Sequence, residues 1–212
     1  MKKLIALSLF VILLFTVIVS SPYIFESIYI NNKTADNLYN LCKISSGFKN
    51  EKLVREYYPV MIFDNENNII LSDTEKDDML CIYLEASVGI DDFEEQKKIL
   101  KKSYLEFSGI ESAIIGSTGF IYSFYDKTNE KQRCYELFEL LLDTSSNMNY
   151  EFKNGIYTKY IAFLIDNNDY ELLKKVRKER IDFLKNNGID LWDDEEQSPI
   201  LGDGAIVLDQ DR

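Results

Sequence analysis

Helical stripes and chain breakers alternate along this sequence at an interval of roughly 40 residues, a period of the kind that marks solenoids. A helical pair of that size can bury its apolar face only on a neighbour, so the cadence predicts an array of stacked pairs. About four pairs are legible from apolar spacing. Residues 34–43 and 51–58 form the first, with Ser45, Ser46 and Gly47 between them. Residues 77–86 and 91–107 form the second; Phe93, Leu100, Tyr104 and Phe107 share a face, and Asp91 and Asp92 suit the positive end of a helix. The third uses 119–125 and 129–142, with Leu137, Phe138, Leu141 and Leu142 as its stripe. The fourth uses 156–165 and 169–185, joined by an Asn167-Asn168 turn. Here Asp169 is the expected N-cap, Leu172, Leu173, Val176, Phe183 and Leu184 face the core, and Gly188 stops the helix.

Between pairs, two segments read as β-hairpins. Residues 60–63 and 69–71 are β-favouring runs around a polar tip at 64–68, and residues 150–152 and 156–158 flank Asn154-Gly155. Asn-Gly supplies the positive φ angles of a type I′ turn at low steric cost. Hairpins projecting from a helical array would present a binding edge, which makes Asp64, Glu66, Glu151 and Phe152 candidate partner-binding residues. The single tryptophan adds a second cluster, Trp192, Asp193, Asp194, Glu195 and Glu196, an aromatic anchor beside four acids. The same Trp folded onto the last helical pair is the alternative.

The order Leu140-Leu141-Leu142-Asp143-Thr144, then Asn154-Gly155, a short helix through Phe163, and Asn167-Asn168-Asp169-Tyr170-Glu171-Leu172-Leu173, resembles a degenerate ankyrin repeat. Gly188-Ile189-Asp190-Leu191 is similar to the Gly-Ala-Asp-Val that closes such repeats, and Ser198-Pro199-Ile200 to the Thr-Pro-Leu that opens the next. Gly109-Ile110-Glu111 matches the closing position once more. The match is good over residues 140–191. Thr-Pro-Leu-His is missing at 156–161, and an interval of roughly 40 exceeds the ankyrin period of about 33, so other helical-hairpin solenoids stay open. The resemblance implies protein binding through hairpin tips and a concave helical surface, and no catalysis. The expected fold is therefore mainly α: a helical-hairpin solenoid of about four ankyrin-like repeats with short β-hairpin connections.

An N-terminal signal or anchor helix precedes this array. Lys2 and Lys3 stand before 22 uncharged residues, 4–25. That run is long enough to cross a bilayer, which needs roughly 20, and the two lysines hold its start in the cytoplasm. Ser20 and Ser21 sit where a signal peptidase would cut, and Pro22 disfavours the bond, so a cleaved signal and a retained anchor are both open. Residues 1–25 are thus signal or anchor, and residues 26–212 an exported domain, periplasmic or held on the inner membrane.

Removing Lys2 and Lys3 from the 24 basic residues leaves 22 against 36 acidic, a formal charge of −14 on the exported part. Such a surface repels nucleic acid and anionic headgroups and favours a basic protein partner. Cys42, Cys81 and Cys134 cannot all pair internally and show no C-x-x-C spacing, so buried free thiols are expected. Cys42 and Cys81 at equivalent positions of stacked helices would lie about 8 to 10 Å apart, beyond the roughly 7 Å that a disulfide spans between α-carbons.

The chain has no histidine, which removes the commonest general base, Ser-His and Cys-His nucleophile pairs, and His-containing zinc sites. Asp64, Glu66, Asn68, Ser72 and Glu75 fall on calcium-loop positions, but Ile69 replaces the glycine that the loop's turn requires, so no metal or cofactor is expected. Paired carboxylates such as Asp77-Asp78 and Glu94-Glu95 point to different faces of a helix. The expected function is an exported protein-binding module, specifically an immunity protein that occludes a basic toxin or effector. An envelope scaffold and a carboxylate-based hydrolase are the alternatives.

Overall fold

The computed structural model describes residues 2–63 and 71–189, and among them every regular element is a helix. The helices are α1 (Lys2–Asn31), α2 (Ala35–Gly47), α3 (Glu51–Phe63), α4 (Asp73–Ser87), α5 (Phe93–Glu106), α6 (Ile110–Thr128), α7 (Lys131–Thr144), α8 (Tyr150–Asp166) and α9 (Tyr170–Asn186). A 3-10 turn, Ser145–Asn147, precedes α8. The chain forms two compact units, Met1–Ile99 and Leu100–Arg212.

In the first unit each helix packs on the next, α1 on α2, α2 on α3 and α3 on α4. The stripe Leu38, Leu41, Cys42 and Ser45 of α2 is wholly buried, at the i, i+3, i+4, i+7 spacing of one helical face. It meets Leu53, Val54, Tyr58 and Met61 of α3, whose Tyr58 hydroxyl donates to the Cys42 carbonyl at 2.9 Å. Burying side chains of this size contributes about 1.5 to 3 kcal/mol each. That suffices to carry α3 through Pro59, five residues beyond the end expected at Tyr58. The first break also falls later than Ser45-Ser46-Gly47: Lys49 takes the left-handed conformation, φ 50°, while Ser45 stays in the core.

Ser72 caps α4 in a full capping box, its side chain accepting from the Glu75 amide and Glu75 accepting from the Ser72 amide. Two of the five calcium-loop positions are thus occupied by helix capping. Buried Gln96 donates to the carbonyls of Val88 and Ile90, 3.2 and 2.7 Å, and fixes the α4–α5 turn. Asp92 accepts from the Glu95 amide as the anionic start of α5.

In the second unit, α8 touches α6, α7 and α9. Its Phe163 lies among Tyr122, Tyr125, Tyr135 and Phe138 with ring centroids 5.2 to 6.2 Å apart, and Tyr160 stacks on Phe138 at 4.6 Å. The hairpin expected over 150–158 is corrected by α8. Asn149 caps that helix through the Glu151 amide, and Ile156, Tyr157, Tyr160 and Ile161 bury a helical face. Gly155 lies inside the helix rather than in a turn, directly against Ile114 of α6. Residues 60–63, the first strand of the other expected hairpin, are the last turn of α3, and its tip, 64–68, with residues 69–70 of its second strand, lies outside the described residues. The solenoid's expected β connections are therefore absent from the described residues.

Two other boundaries move for the same reason. Helix α6 begins at Ile110, not Gly119, because Ala113, Ser117, Phe120, Ile121 and Phe124 continue one buried stripe through the glycines. Gly109, placed by resemblance at the close of a repeat, is instead the N-cap of α6 in extended conformation. The turns of the last pair follow expectation, although its first helix starts at Tyr150 and not Ile156: Asp169 accepts from the Leu172 amide as N-cap of α9, Asn168 is left-handed at φ 56°, and Gly188 stops the helix at φ 72°.

Candidate functional site

Of the residues expected to bind a partner, Asp64, Glu66, Trp192, Asp193, Asp194, Glu195 and Glu196 lie outside the described residues. Glu151 and Phe152 are described, and neither stands on a hairpin tip. Both belong to the first turn of α8. Glu151 is exposed and bonded to Asn149 at both its amide and its carboxylate, 3.2 and 3.1 Å. Phe152 is half-buried edge-on against Tyr104 at 6.1 Å, so its role is packing.

The sequence reading missed one recurring arrangement. Tyr39, the fifth residue of α2, donates to the Glu75 carboxylate in the first turn of α4 at 3.2 Å. Tyr135, the fifth residue of α7, donates to the Asp169 carboxylate at the N-cap of α9 at 2.8 Å. Each bond joins one helix to the start of the α-helix two further on, across 36 and 34 residues. Beside the second bond, Lys131 donates to the Asn167 carbonyl at 3.1 Å, also across 36 residues. Tyrosines at matching helical positions, 36 and 34 residues before a capping acid, were the available signal.

Electrostatics differ between the two copies. At Glu75, hydrogen bonds from the Ser72 side chain and amide, then from Tyr39, hold the carboxyl below its ordinary range. At Tyr135, desolvation and the Asp169 carboxylate push the phenol up. Burial likewise raises the thiols of Cys42 and Cys134 to about 12 and raises that of Cys81 as well, and all three are free. Such thiols are poor nucleophiles at neutral pH.

Two features have the shape of surface sites. On the second unit, desolvation and the neighbouring Glu179 raise the Glu139 carboxyl, against the pull of Lys175 and Lys153. Lys175 also lies 3.6 Å from Glu179, and burial, with the same two acids adding to it, raises the phenols of Tyr157 and Tyr160. On the first unit, a groove of about 250 Å³ runs between the α2–α3 turn and the end of α4, lined by Ser46, Lys49, Glu51, Val54, Glu85 and Ala86 among others. Arg55 donates to the carbonyl of Ala86, one of these lining residues, at 3.0 Å. No group of three or more metal-ligating side chains is present among the described residues.

At the N-terminus, the segment Val11–Asn31 of α1 is long and apolar enough to cross a membrane, with mean hydropathy 1.9 and 6% of its span buried. Helical charges elsewhere pair locally, as in Glu94–Lys97, Glu130–Arg133 and Glu171–Lys174, which leaves them on solvated faces. Comparison with known proteins finds no matching family model, no similar curated protein and no similar solved structure.

Proposed function

We propose that this chain is an exported, membrane-anchored helical-repeat protein, ankyrin-like in its helical pairs, that binds another protein. The observation carrying this reading is the recurring tyrosine-to-cap bond. It ties each helix to the start of the α-helix two further on, across 36 and 34 residues, in keeping with stacked helical pairs. Repeat arrays bind through extended surfaces rather than through one enclosed site. The absence of histidine and the buried, raised thiols are in keeping with binding rather than acid–base or thiol chemistry.

The partner is a basic protein, drawn by the excess of acidic residues, and the concrete role is that of an immunity protein covering the cleft of a secreted toxin. Association of this kind is steered by charge and slows as salt rises. The test uses the full chain in lipid nanodiscs, presented to an exported basic protein encoded beside it. Binding that weakens through a sodium chloride series, with protection of growth by the full chain, is the expected result. Neither binding nor protection would refute the reading.

A further inference from the structure

We propose that the first unit is seated in the headgroup layer of the outer face of the membrane, with the outward side of α1 and the α2–α3 turn as its contact surface. This rests on the anchor reading of α1. If residues 4–25 cross the bilayer, the helix does not leave the lipid and then reach the domain through a linker. It enters the domain while still in the span: Pro22 is buried, and Phe25, Glu26 and Tyr29 are partly buried on one side. The Tyr57 hydroxyl donates to Glu26 at 3.2 Å, and the Tyr57 ring meets Tyr29 edge-on at 5.6 Å. Glu26, the first charge after the apolar run, is thereby turned toward protein and away from lipid.

Level follows from the helical rise. Helices α1, α2 and α3 are joined by turns of three residues and pack in sequence, so α3 runs in the direction of α1. Tyr57 is level with Glu26 and Tyr29, and Glu51 stands six residues, about 9 Å, nearer the membrane. That places the α2–α3 turn beside Ser20–Tyr23, within the apolar run. The turn carries exposed Phe48 and, next to it, Lys49 of the mixed-charge groove, an aromatic tip and a snorkelling cation suited to an interface.

The outward side of α1 agrees. Tyr23, Ile24, Ile28 and Ile30 are all more than 40% exposed. Leu4 to Tyr23 is 20 residues, a rise of about 30 Å that matches the hydrocarbon thickness, so Ser20–Tyr23 stand at its outer boundary and Ile24, Ile28 and Ile30 in the headgroup layer. The helix is also built to pass Pro22 in lipid. Pro22 has no N–H for the Ile18 carbonyl, and the Ser21 hydroxyl donates to that carbonyl instead, at 2.7 Å. Within hydrocarbon an unpaired carbonyl costs several kcal/mol. Zwitterionic lipids are the fitting partner, since the acidic exported part repels anionic ones.

The test places single fluorescent labels on the full chain in phosphatidylcholine nanodiscs, in a Cys81→Ser background that leaves only buried thiols. Labels go at Ile18→Cys, Ile24→Cys, Phe48→Cys and, near the opposite end of α4, Thr74→Cys. Lipids carrying quenchers at the headgroup should quench Phe48→Cys and Ile24→Cys several-fold more than Thr74→Cys. Deep quenchers should act on Ile18→Cys. Deep quenching at 18 with Phe48→Cys as unquenched as Thr74→Cys would overturn the seat and leave the anchor standing. A chain recovered from cells beginning at Pro22 would overturn the anchor itself. Quantitative disulfide pairing through Ile24→Cys would give this face to a second copy and overturn the lipid assignment.

Discussion

Replacing Gly155 by Ala separates the helix observed at 150–158 from the hairpin that Asn154-Gly155 suggests. Inside a helix, Ala is favoured over Gly by about 1 kcal/mol. Against this, a Cβ on Gly155 would stand 3.1 Å from Ile114 Cγ1 and closer still to Cδ1, and forcing a methyl into packed space costs about 1 to 3 kcal/mol. Ile114 is half-buried and yields in part, so the single substitution should be neutral to destabilising by about 1 kcal/mol. Truncating the opposing side chain removes the collision. In an Ile114→Ala background, Gly155→Ala should therefore stabilise by about 1 kcal/mol, a coupling of about 1 to 2 kcal/mol across the cycle. Urea unfolding of the four proteins, followed by helical circular dichroism, reads this directly. In a type I′ turn Gly155 would need positive φ, and Ala would cost about 1 to 2 kcal/mol whatever residue stood at 114. Destabilisation by Gly155→Ala in the Ile114→Ala background would thus refute the helix.

Tyr135→Phe removes a short, partly buried bond to a carboxylate and should destabilise by about 1.5 to 3 kcal/mol in the same urea assay; the equivalent Tyr39→Phe, whose partner is solvent-exposed, should do less. Glu139→Gln should stabilise at neutral pH, because the folded-state carboxyl is raised and its ionised form is disfavoured. The sign is testable: wild type gains stability as pH falls through the raised folded-state value toward the ordinary one, about 4.3, and below that the two proteins should converge in thermal melts. A reagent for accessible thiols should leave Cys42 and Cys134 unmodified in the native protein at neutral pH and reach Cys81 slowly, with all three reacting in urea; rapid native labelling of Cys42 would contradict its burial.

Much of the architecture was legible because apolar spacing reports burial directly. The α7 stripe of Leu137, Phe138, Leu141 and Leu142 is buried throughout, and of the stripe expected on α9 Leu173, Val176 and Leu184 are buried while Leu172 and Phe183 are half-buried. Punctuation was harder. Asn168 and Gly188 act as the turn residues they resemble, yet Gly155, Gly119 and Pro59 sit inside helices where local propensity would place a break. Tertiary contact decides these cases: Ile114 fills the space beside Gly155, and Tyr58 and Met61 hold α3 on both sides of Pro59. The candidate site was least legible, since Glu151 and Phe152 were chosen for standing beside an Asn-Gly pair that does not turn.

The recurring cap bond starts on helices whose burial patterns correspond although the two segments share little sequence. Aligning Tyr39 with Tyr135 brings buried Leu38, Leu41, Cys42 and Ser45 onto buried Cys134, Leu137, Phe138 and Leu141. Side-chain volume is exchanged freely between the copies, Cys42 for Phe138 and Ser45 for Leu141, and only the positions are kept. A core tolerates such exchange when its neighbours repack. The tyrosine hydroxyl cannot be exchanged in the same way, because it must reach a capping carboxylate on the α-helix two further on. Position thus carries the packing, and one directional polar bond carries the register. A swap that moved the tyrosine, Tyr135→Phe with Glu136→Tyr, should therefore keep the burial pattern's composition yet lose the α7–α9 tie, since the neighbouring position turns about 100° around the helix. Stability equal to wild type in that double variant would show that apolar spacing alone sets the register.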